Sequence, residues 1–457
     1  MELQKKIYNL SPIWLQEFII SIYGLKIYRL RYNKAYFTRL KELKEKDYSD
    51  IEKEKSIQLE ELKKLINHAI NNSQFYKEFY KDVDIAQILT LDDLKKLPIL
   101  EKEVLRENAA SIYTIDPKIG VPSFTGGTTG KSLKVLYTKS DVQKRMAYLD
   151  AFKWRLGIDT FKAKKATFSG REFTGNNATK AKKIFWRYNW VYKQKLYSTF
   201  DLTNDNIIYY IEDLNKYKPD VINGFVSAIY DLAKFVESKG IKLTFKPKAI
   251  FTTSETLLPY QREVVEKAFN CKIYNQYASA EGAPFITECK FGNLHYNIDT
   301  GVIESFKTEY GEEVLVTSFS TYGTPLIRYR IGDKVTFKEG ICKCGSCHPL
   351  VEKIEGRKVD FLLSKERGKI SLSHLADVIK GMPNCIKNMQ FVQNALESID
   401  VNIVVDEQLY NAEHEKNIMG EMKFRFGDDA NININIVDEI VKEASGKFAL
   451  IKNNIKS

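Results

Sequence analysis

Long uninterrupted apolar runs are missing from this chain. Residues 1–6 include charged side chains, and the apolar stretch that begins at Ile13 is broken by Gln16, Glu17 and Lys26. A membrane-spanning helix needs about 20 mostly apolar residues, and a secretory signal peptide also needs a cleavage site flanked by small residues. Because neither pattern is present, we expect a cytoplasmic protein.

Cysteine and histidine are scarce. Six cysteines in 457 residues do not resemble the disulfide framework of a small secreted domain. The five histidines are scattered, and no arrangement of serine, histidine and aspartate typical of a catalytic triad is evident. These absences exclude a disulfide-stapled scaffold and argue against histidine-based catalysis.

Acidic residues are the minority among the charged ones. The chain has 70 Lys and Arg against 59 Asp and Glu, a formal net charge of +11, and 44% of its residues are hydrophobic. This composition is typical of a globular protein, and the length predicts two or more domains. On one interpretation the lysines are simply solvated; on the other, their charge attracts ATP, CoA or an anionic membrane face. The basic residues form no nucleic-acid footprint, so no nucleic-acid partner is expected.

The first part of the chain, residues 1 to about 70, is predicted to be helical. Aromatic and basic residues recur with helical spacing over residues 14–43, and apolar residues do so over residues 60–70. Two interpretations stay open. The aromatic residues pack on the main core, or the segment lies on the inner membrane face with Arg29, Arg31 and Lys34 toward lipid phosphates.

The most informative segment is rich in glycine and threonine: residues 123–131 read Ser-Phe-Thr-Gly-Gly-Thr-Thr-Gly-Lys. Glycine lets the backbone approach a ligand closely, and the hydroxyls and the lysine can donate to anionic oxygens, so the segment has the chemistry of a polyphosphate cradle. It is not a P-loop, because Thr125 stands where that motif needs glycine and a strand-like alternation follows Ser132. We predict that the loop joins two strands; a surface turn without a ligand is the alternative.

Helical and strand-like runs alternate from about Leu97 to Thr253, which predicts an α/β layered architecture. The clearest of these runs are the strand 135–138, the helices 141–156 and 228–238, and the strand 249–252. After Arg357 the pattern changes to that of a small α+β unit. Its predicted elements are the strands 389–392, 401–405 and 432–436 and the helix 412–424.

Further motifs follow the glycine-rich loop. They are Tyr-Asn-Gln-Tyr-Ala-Ser-Ala-Glu at 274–281, Gly-Thr-Pro-Leu-Ile-Arg-Tyr-Arg-Ile-Gly-Asp at 323–333, Ile-Glu-Gly-Arg at 354–357, and Ser-Gly-Lys-Phe at 445–448. In this order the five segments resemble the motifs of the adenylate-forming superfamily, and residues 325–333 resemble the P-L-I-R-Y-R-x-G-D of its phenylacetate-CoA ligase branch. Residues 11–16, with Gly24 and residues 29–32, are similar to the capsule-biosynthesis, CapK-like members of that branch.

This resemblance implies a large multi-layered N-terminal domain at 1–356 that binds AMP and the acid, and a small mobile α+β lid domain at 357–457. It implies ATP and Mg²⁺, a carboxylic acid substrate, CoA or an amine as acyl acceptor, and a homodimer as an expectation. The residues that it assigns to the nucleotide are Ser123, Thr125, Gly126, Gly127, Thr128, Thr129, Gly130, Lys131, Tyr277, Ser279, Asp333 and Arg357. The residues that it assigns to catalysis are Thr128, Glu281 and Lys447.

Each implied role matches the chemistry of its residue type. Glu281 would hold Mg²⁺, Tyr277 would stack on adenine, and Asp333 would accept hydrogen bonds from the ribose hydroxyls. Lys447 would stabilise the carboxylate and the α-phosphate oxygens during transfer. A turn-capping role for Asp333 and a solvated Lys447 are the alternatives.

The chain departs from the family pattern at a few positions. Ala278 and Ala280 replace the glycine and the hydroxyl residue of the family's Y-G-x-[ST]-E motif, and Val359 stands where the hinge usually has Asp or Lys, with Asp360 beside it. These departures imply rearranged nucleotide contacts or a weakened enzyme.

Half of the cysteines are bunched at residues 342–347. The sulfur ligands Cys342, Cys344 and Cys347 are consistent with a tetrahedral Zn²⁺ site if a distant group completes it, and Cys289 with His295 is the best distant pair. A reduced, metal-free cluster is the alternative.

The predicted function is an ATP-dependent, AMP-forming acid ligase in surface-polysaccharide biosynthesis, whose acyl group passes to CoA or an amine. One rival is an adenylyltransferase that moves AMP onto a hydroxyl acceptor. Another is a catalytically weakened homologue that serves as a scaffold in polysaccharide assembly.

Overall fold

The computed structural model describes most of the chain. The described residues are 8, 10–124, 133–170, 182–308, 311–355, 361–365, 368–371, 375, 378, 385–441 and 448–455. The α-helices are α1 (Ile13–Arg31), α2 (Lys34–Glu45), α3 (Ile51–Asn72), α4 (Gln74–Phe79), α5 (Lys102–Glu107), α6 (Ala109–Ile112), α7 (Lys139–Arg155), α8 (Ile207–Tyr217), α9 (Val226–Ser238), α10 (Pro259–Phe269) and α11 (Ala412–Phe426).

The strands of the described residues fall into several sheets. Those before residue 300 are β1 (Val121–Phe124), β2 (Lys134–Tyr137), β3 (Lys165–Ser169), β4 (Trp186–Asn189), β5 (Gln194–Ser198), β6 (Val221–Phe225), β7 (Ala249–Thr253), β8 (Ile273–Tyr274), β9 (Gln276–Tyr277), β10 (Ile286–Glu288) and β11 (Leu294–Tyr296). Those after it are β12 (Gly301–Thr308), β13 (Gly311–Ser318), β14 (Tyr329–Arg330), β15 (Lys334–Lys338), β16 (Leu350–Glu355), β17 (Phe361–Ser364), β18 (Gly368–Ser371), β19 (Ile386–Ala395), β20 (Ser398–Val405), β21 (Asn431–Ile436) and β22 (Ile451–Asn453). Among the sheets are the three-stranded sheet β12-β13-β14 and the pair β17-β18.

A six-stranded, mainly parallel sheet in the order β4-β5-β3-β6-β7-β8 forms one layer. Strands β5, β3, β6, β7 and β8 run parallel, and β4 is an antiparallel edge strand. Helices α8, α9 and α10 pack on this sheet with apolar residues that include Leu214, Leu232 and Val265. The predicted alternation of helices and strands therefore corresponds to a layered α/β arrangement.

A second sheet is antiparallel and has five strands in the order β15-β16-β11-β10-β9. Its two edge strands lie close to each other at one point. There the hydroxyl of Tyr277 in β9 donates to Asp333, the residue before β15, at 2.6 Å. The separate pair β1 and β2 is antiparallel, with Ser123 opposite Val135. The predicted loop between two strands is thus confirmed for its flanks, while residues 125–132 lie outside the described part.

The C-terminal part has a hydrophobic core of its own. Its sheet has the order β21-β20-β19-β22, and helix α11 packs on it through Ile418, Met422 and Phe426. All residues of this core lie between positions 362 and 451. The predicted strands and helix are present. The predicted burial of alternate isoleucines in β21 is only partly confirmed, because Ile432 is buried but Ile436 is exposed at the sheet edge. The predicted domain limits 1–356 and 357–457 stay predictions.

One half-buried lysine joins the two parts. Lys234 in α9 donates through Nζ to the carbonyl oxygens of Ile386 at 2.5 Å and Lys387 at 3.2 Å, at the start of β19. Burial lowers the pKa of Lys234, and the nearby Asp231 acts in the opposite direction. Because the bonded atoms are backbone carbonyls, the contact depends on the position of β19 and not on its side chains.

Within the described residues, no helix combines the length and the apolar character that crossing a membrane requires. The predicted helical N-terminal segment is present as α1, α2 and α3. Its aromatic residues divide between two environments: Tyr28, Tyr32 and Tyr36 pack with Phe161, whereas others on α1 face solvent.

Candidate active site

The flanks of the glycine-rich loop meet a second predicted motif. Ser123 at the end of β1 donates its hydroxyl to the carbonyl oxygen of Ala280 at 2.9 Å, and Tyr137 at the end of β2 donates to the same oxygen at 2.9 Å. Burial raises the pKa of Tyr137 to about 12, so its hydroxyl remains a donor at neutral pH. Both described flanks of the loop are therefore bonded to the segment that contains residues 277–281. Its other predicted ligands, Thr125, Gly126, Gly127, Thr128, Thr129, Gly130 and Lys131, lie outside the described residues.

A tight turn shapes the backbone after Tyr277. The hydroxyl oxygen of Ser279 accepts hydrogen bonds from the backbone N–H of Gly282 at 3.1 Å and of Ala283 at 3.0 Å. Gly282 has a φ of +108°, and a Cβ there would lie 2.5 Å from Thr321 and 2.7 Å from the Tyr137 hydroxyl. Only glycine fits this position.

An arginine that the sequence analysis did not identify clamps this turn. Arg145 in α7 donates through Nη1 to the carbonyl oxygens of Gly282 at 2.9 Å and Ala283 at 3.3 Å and to the Ser320 hydroxyl at 3.0 Å. Its guanidinium lies 4.4 Å from the centroid of the Phe285 ring. These contacts fix the backbone of the two residues that follow Glu281. An arginine inside a long helix has no local signal that distinguishes it from a surface cation.

Glu281 is buried, and a lysine lies near it. The Nζ of Lys102, in the first turn of α5, is 3.8 Å from Oε1 of Glu281. The lysine balances the charge of a carboxylate that has been removed from water. Lys102 could not be identified from the sequence, because 179 residues separate it from Glu281.

Asp333 is buried at the start of β15, after Gly332 with its φ of +82°. Its carboxylate accepts the hydrogen bond from Tyr277, so the residues predicted to contact ribose and adenine touch each other. The two arginines of the same motif are structural. Arg328 donates through Nε to Glu304 at 3.1 Å, and Arg330 donates through Nε to Glu313 at 2.8 Å.

The predicted lysine and hinge residues, Lys447 and Arg357, lie outside the described residues. The next residue along the chain, Phe448, donates its backbone N–H to Oε1 of Glu255 at 3.2 Å. Glu255 follows β7 and also accepts from the N–H of Ser227 at 2.7 Å and from its hydroxyl at 3.0 Å. A polar residue after the carboxyl end of a parallel strand is a known site position and could have indicated Glu255.

Four of the five predicted zinc ligands come together. The ligand atoms of Cys289, His295, Cys342 and Cys344 all lie within 4.8 Å of one another, and we call these four residues the cysteine cluster. The Sγ atoms of Cys289 and Cys342 are 3.6 Å apart, and Sγ of Cys344 is 3.4 Å from Nε2 of His295. Cys347 is not in the group; its backbone N–H donates to the carbonyl oxygen of Tyr48 at 2.7 Å.

The surroundings of the cysteine cluster orient its ligands. Nδ1 of His295 lies 3.1 Å from the carbonyl oxygen of His348, which leaves Nε2 on the side of Cys344. Burial raises the pKa of Cys344 to about 12, with Cys342 and Cys289 acting in the same direction. The cluster joins β10, β11 and the segment between β15 and β16, so it fastens the sheet whose edges carry Tyr277 and Asp333.

Comparisons with known proteins agree with this architecture. The family model of the CapK C-terminal domain matches residues 362–454. Protein CapK of Staphylococcus aureus is 36% identical over 457 residues, covering 98% of this chain and 99% of the relative. Phenylacetate-coenzyme A ligase of Thermus thermophilus is 23% identical over 394 residues, covering 79% of this chain and 83% of the relative.

Among solved structures, 2-hydroxyisobutyryl-CoA ligase in the postadenylation state matches with a TM-score of 0.69 at 15% identity, over 87% of this chain and 89% of that one. This match and the C-terminal family model confirm the predicted fold class, with its separate C-terminal domain. By its full-length identity to Protein CapK, the chain belongs to the CapK-like members of the phenylacetate-CoA ligase branch of the adenylate-forming superfamily.

Proposed function

We propose that this protein activates a carboxylic acid with ATP as an acyl-adenylate and then transfers the acyl group to CoA or an amine. The observation that carries the proposal is the convergence of three motifs that are distant in sequence. Ser123 and Tyr137 bind the carbonyl of Ala280, and Tyr277 binds Asp333. An acyl-adenylate site needs a phosphate loop, a metal ligand and a ribose ligand at one place, and the contacts between these three motifs support the proposal.

The first half-reaction joins a substrate carboxylate oxygen to the α-phosphorus of ATP and releases pyrophosphate. The loop at residues 123–131 would hold the phosphates, and Glu281 would hold Mg²⁺, which neutralises charge on them. Tyr277 would keep the Asp333 carboxylate oriented toward ribose, and Lys447 would stabilise the transferring oxygens. In the second half-reaction the acceptor attacks the acyl carbonyl and AMP leaves.

The alanine at position 280 of the nucleotide motif does not by itself imply a scaffold without activity. Ala280 contributes its backbone carbonyl to Ser123 and Tyr137, and that group does not depend on the side chain. The turn itself is held by Ser279 and Gly282. Loss of the usual hydroxyl at position 280 therefore removes a phosphate contact but leaves the anchor of the loop unchanged.

The fate of AMP tests the proposal against its rivals. With ATP labelled in adenine and a supplied acid and acceptor, a ligase releases free AMP and an acylated product. An adenylyltransferase leaves the label on the acceptor, and a scaffold consumes no ATP. The predicted roles in surface-polysaccharide assembly, in the cytoplasm and as a homodimer stay predictions.

We also propose that the cysteine cluster holds a structural Zn²⁺. Four protein ligands are typical of structural zinc, and atoms bonded to tetrahedral zinc at about 2.3 Å lie about 3.8 Å apart. The Sγ atoms of Cys289 and Cys342 are 3.6 Å apart, and Sγ of Cys344 is 3.4 Å from Nε2 of His295, so both separations are close to that distance. The ion would supply folding energy and would take no part in the reaction.

Protein purified without chelator is expected to carry one equivalent of zinc by elemental analysis. Cys344→Ser should lose the ion and lower the melting temperature by at least about 5 °C, because bound structural metal contributes folding energy. Cys347→Ser is the matched control and should keep its zinc. A wild-type protein that holds no zinc, even after titration with the ion, would contradict the assignment.

A further inference from the structure

Helix α1 turns its polar side toward the protein. Gln16, Ser21 and Gly24 are its buried residues. The carboxylate of Glu17 accepts from the backbone N–H of Tyr188 at 2.9 Å, and the hydroxyl of Ser21 accepts from that of Trp190 at 3.1 Å. These side chains cover the otherwise open edge of β4.

The opposite side of α1 is apolar and exposed. Trp14 is 66% exposed, Phe18 48%, Ile22 54% and Leu25 40%. Their spacing of four, four and three residues places them on one face of the helix. A helix packed on a soluble protein normally has the reverse arrangement, with its apolar stripe toward the core.

The exposed charged residues of α1 are all basic. Glu17 is the one acidic residue of α1, and it is engaged with β4. Lys26 and Arg29 are exposed on the same helix, and Lys34 is exposed at the start of α2. The predicted lipid contact Arg31 lies instead beside Tyr192.

We propose that α1 binds to the surface of a membrane that contains anionic lipids. Trp14, Phe18, Ile22 and Leu25 enter the interface between headgroups and acyl chains, and Lys26 and Arg29 contact lipid phosphates. An apolar helix face with tryptophan and flanking basic residues is the usual form of an interfacial helix. A second copy of the chain fits the face less well, because a symmetric pair would bring the same basic residues of both copies together.

Sedimentation of the full-length protein with vesicles tests whether α1 binds a membrane surface. Binding to vesicles of phosphatidylcholine and phosphatidylglycerol is expected to exceed binding to phosphatidylcholine alone and to decrease with salt. The double variant Trp14→Ser/Phe18→Ser should bind at least about tenfold more weakly, since two large side chains no longer enter the interface. Lys26→Gln/Arg29→Gln should lose the preference for phosphatidylglycerol.

Phe424→Ser is the matched control, because Phe424 is an equally exposed aromatic residue on α11, and its vesicle binding should equal that of the wild type. Should Trp14→Ser/Phe18→Ser melt at a lower temperature than the wild type, Ile22→Ser/Leu25→Ser takes its place. Wild-type protein that does not bind either vesicle, or variants that bind as the wild type does, would overturn the proposal. A dimer in light scattering that Trp14→Ser/Phe18→Ser dissociates, without vesicle binding, would assign the face to a second copy.

Discussion

Replacing Lys447 by alanine is expected to lower acyl-adenylate formation by at least about a hundredfold, the effect of removing one preorganised charge-stabilising donor. The residue after it, Phe448, is bonded to Glu255 of the large domain, so this segment of the C-terminal domain lies against the large domain. The rate is measured as pyrophosphate released in the first half-reaction. Transfer from a supplied acyl-adenylate should be much less affected.

A matched control for this variant is Lys452→Ala, which removes another lysine from the same C-terminal segment, in β22. Its adenylation rate should stay within about twofold of the wild type, because Lys452 is a partly exposed lysine outside the predicted site. Equal losses in both half-reactions of Lys447→Ala would indicate a folding role for Lys447 and would refute the catalytic one.

Replacing Asp333 by alanine is expected to raise the KM for ATP at least about a hundredfold. The carboxylate would accept bonds from two ribose hydroxyls, each worth about 1.5–3 kcal/mol, and about 1.4 kcal/mol corresponds to a factor of ten. Tyr277→Phe keeps the ring and removes the hydroxyl that donates to Asp333, so its effect should be smaller than that of Asp333→Ala.

The matched control for Asp333→Ala is Asp82→Ala, which removes an exposed carboxylate that has no predicted role in the site. Its KM for ATP should match the wild type. If Asp333→Ala lowered the melting temperature but left the KM for ATP unchanged, Asp333 would be a turn-capping residue. That alternative role follows from its position directly after Gly332.

The sequence predicted the fold where one local pattern determines an element. The apolar spacing of residues 141–156 and 228–238 corresponds to α7 and α9, and the alternation after Ser132 corresponds to β2. Motif order indicated two segments that the structure brings into contact, since Tyr277 of one donates a hydrogen bond to Asp333 of the other. The ligand type and close spacing of Cys289 and His295 indicated these two residues as the distant partners of the cysteines, although the group excludes Cys347.

Contacts between distant segments could not be predicted in this way. Lys102, Arg145 and Glu255 support the site or the approach of the C-terminal domain through contacts with residues more than one hundred positions away. Helical spacing likewise indicated that α1 is a helix but not which side it buries. That depends on β4, whose edge N–H groups are satisfied by polar side chains of the helix.

Exchange of labelled pyrophosphate into ATP, run against a panel of carboxylic acids with Mg²⁺, tests the central claim most directly. The account predicts that at least one acid supports exchange, and that Glu281→Gln and Lys447→Ala lower its rate by at least about a hundredfold while Lys452→Ala does not. A protein that binds ATP by calorimetry but catalyses no exchange with any acid would contradict the account and favour a scaffold.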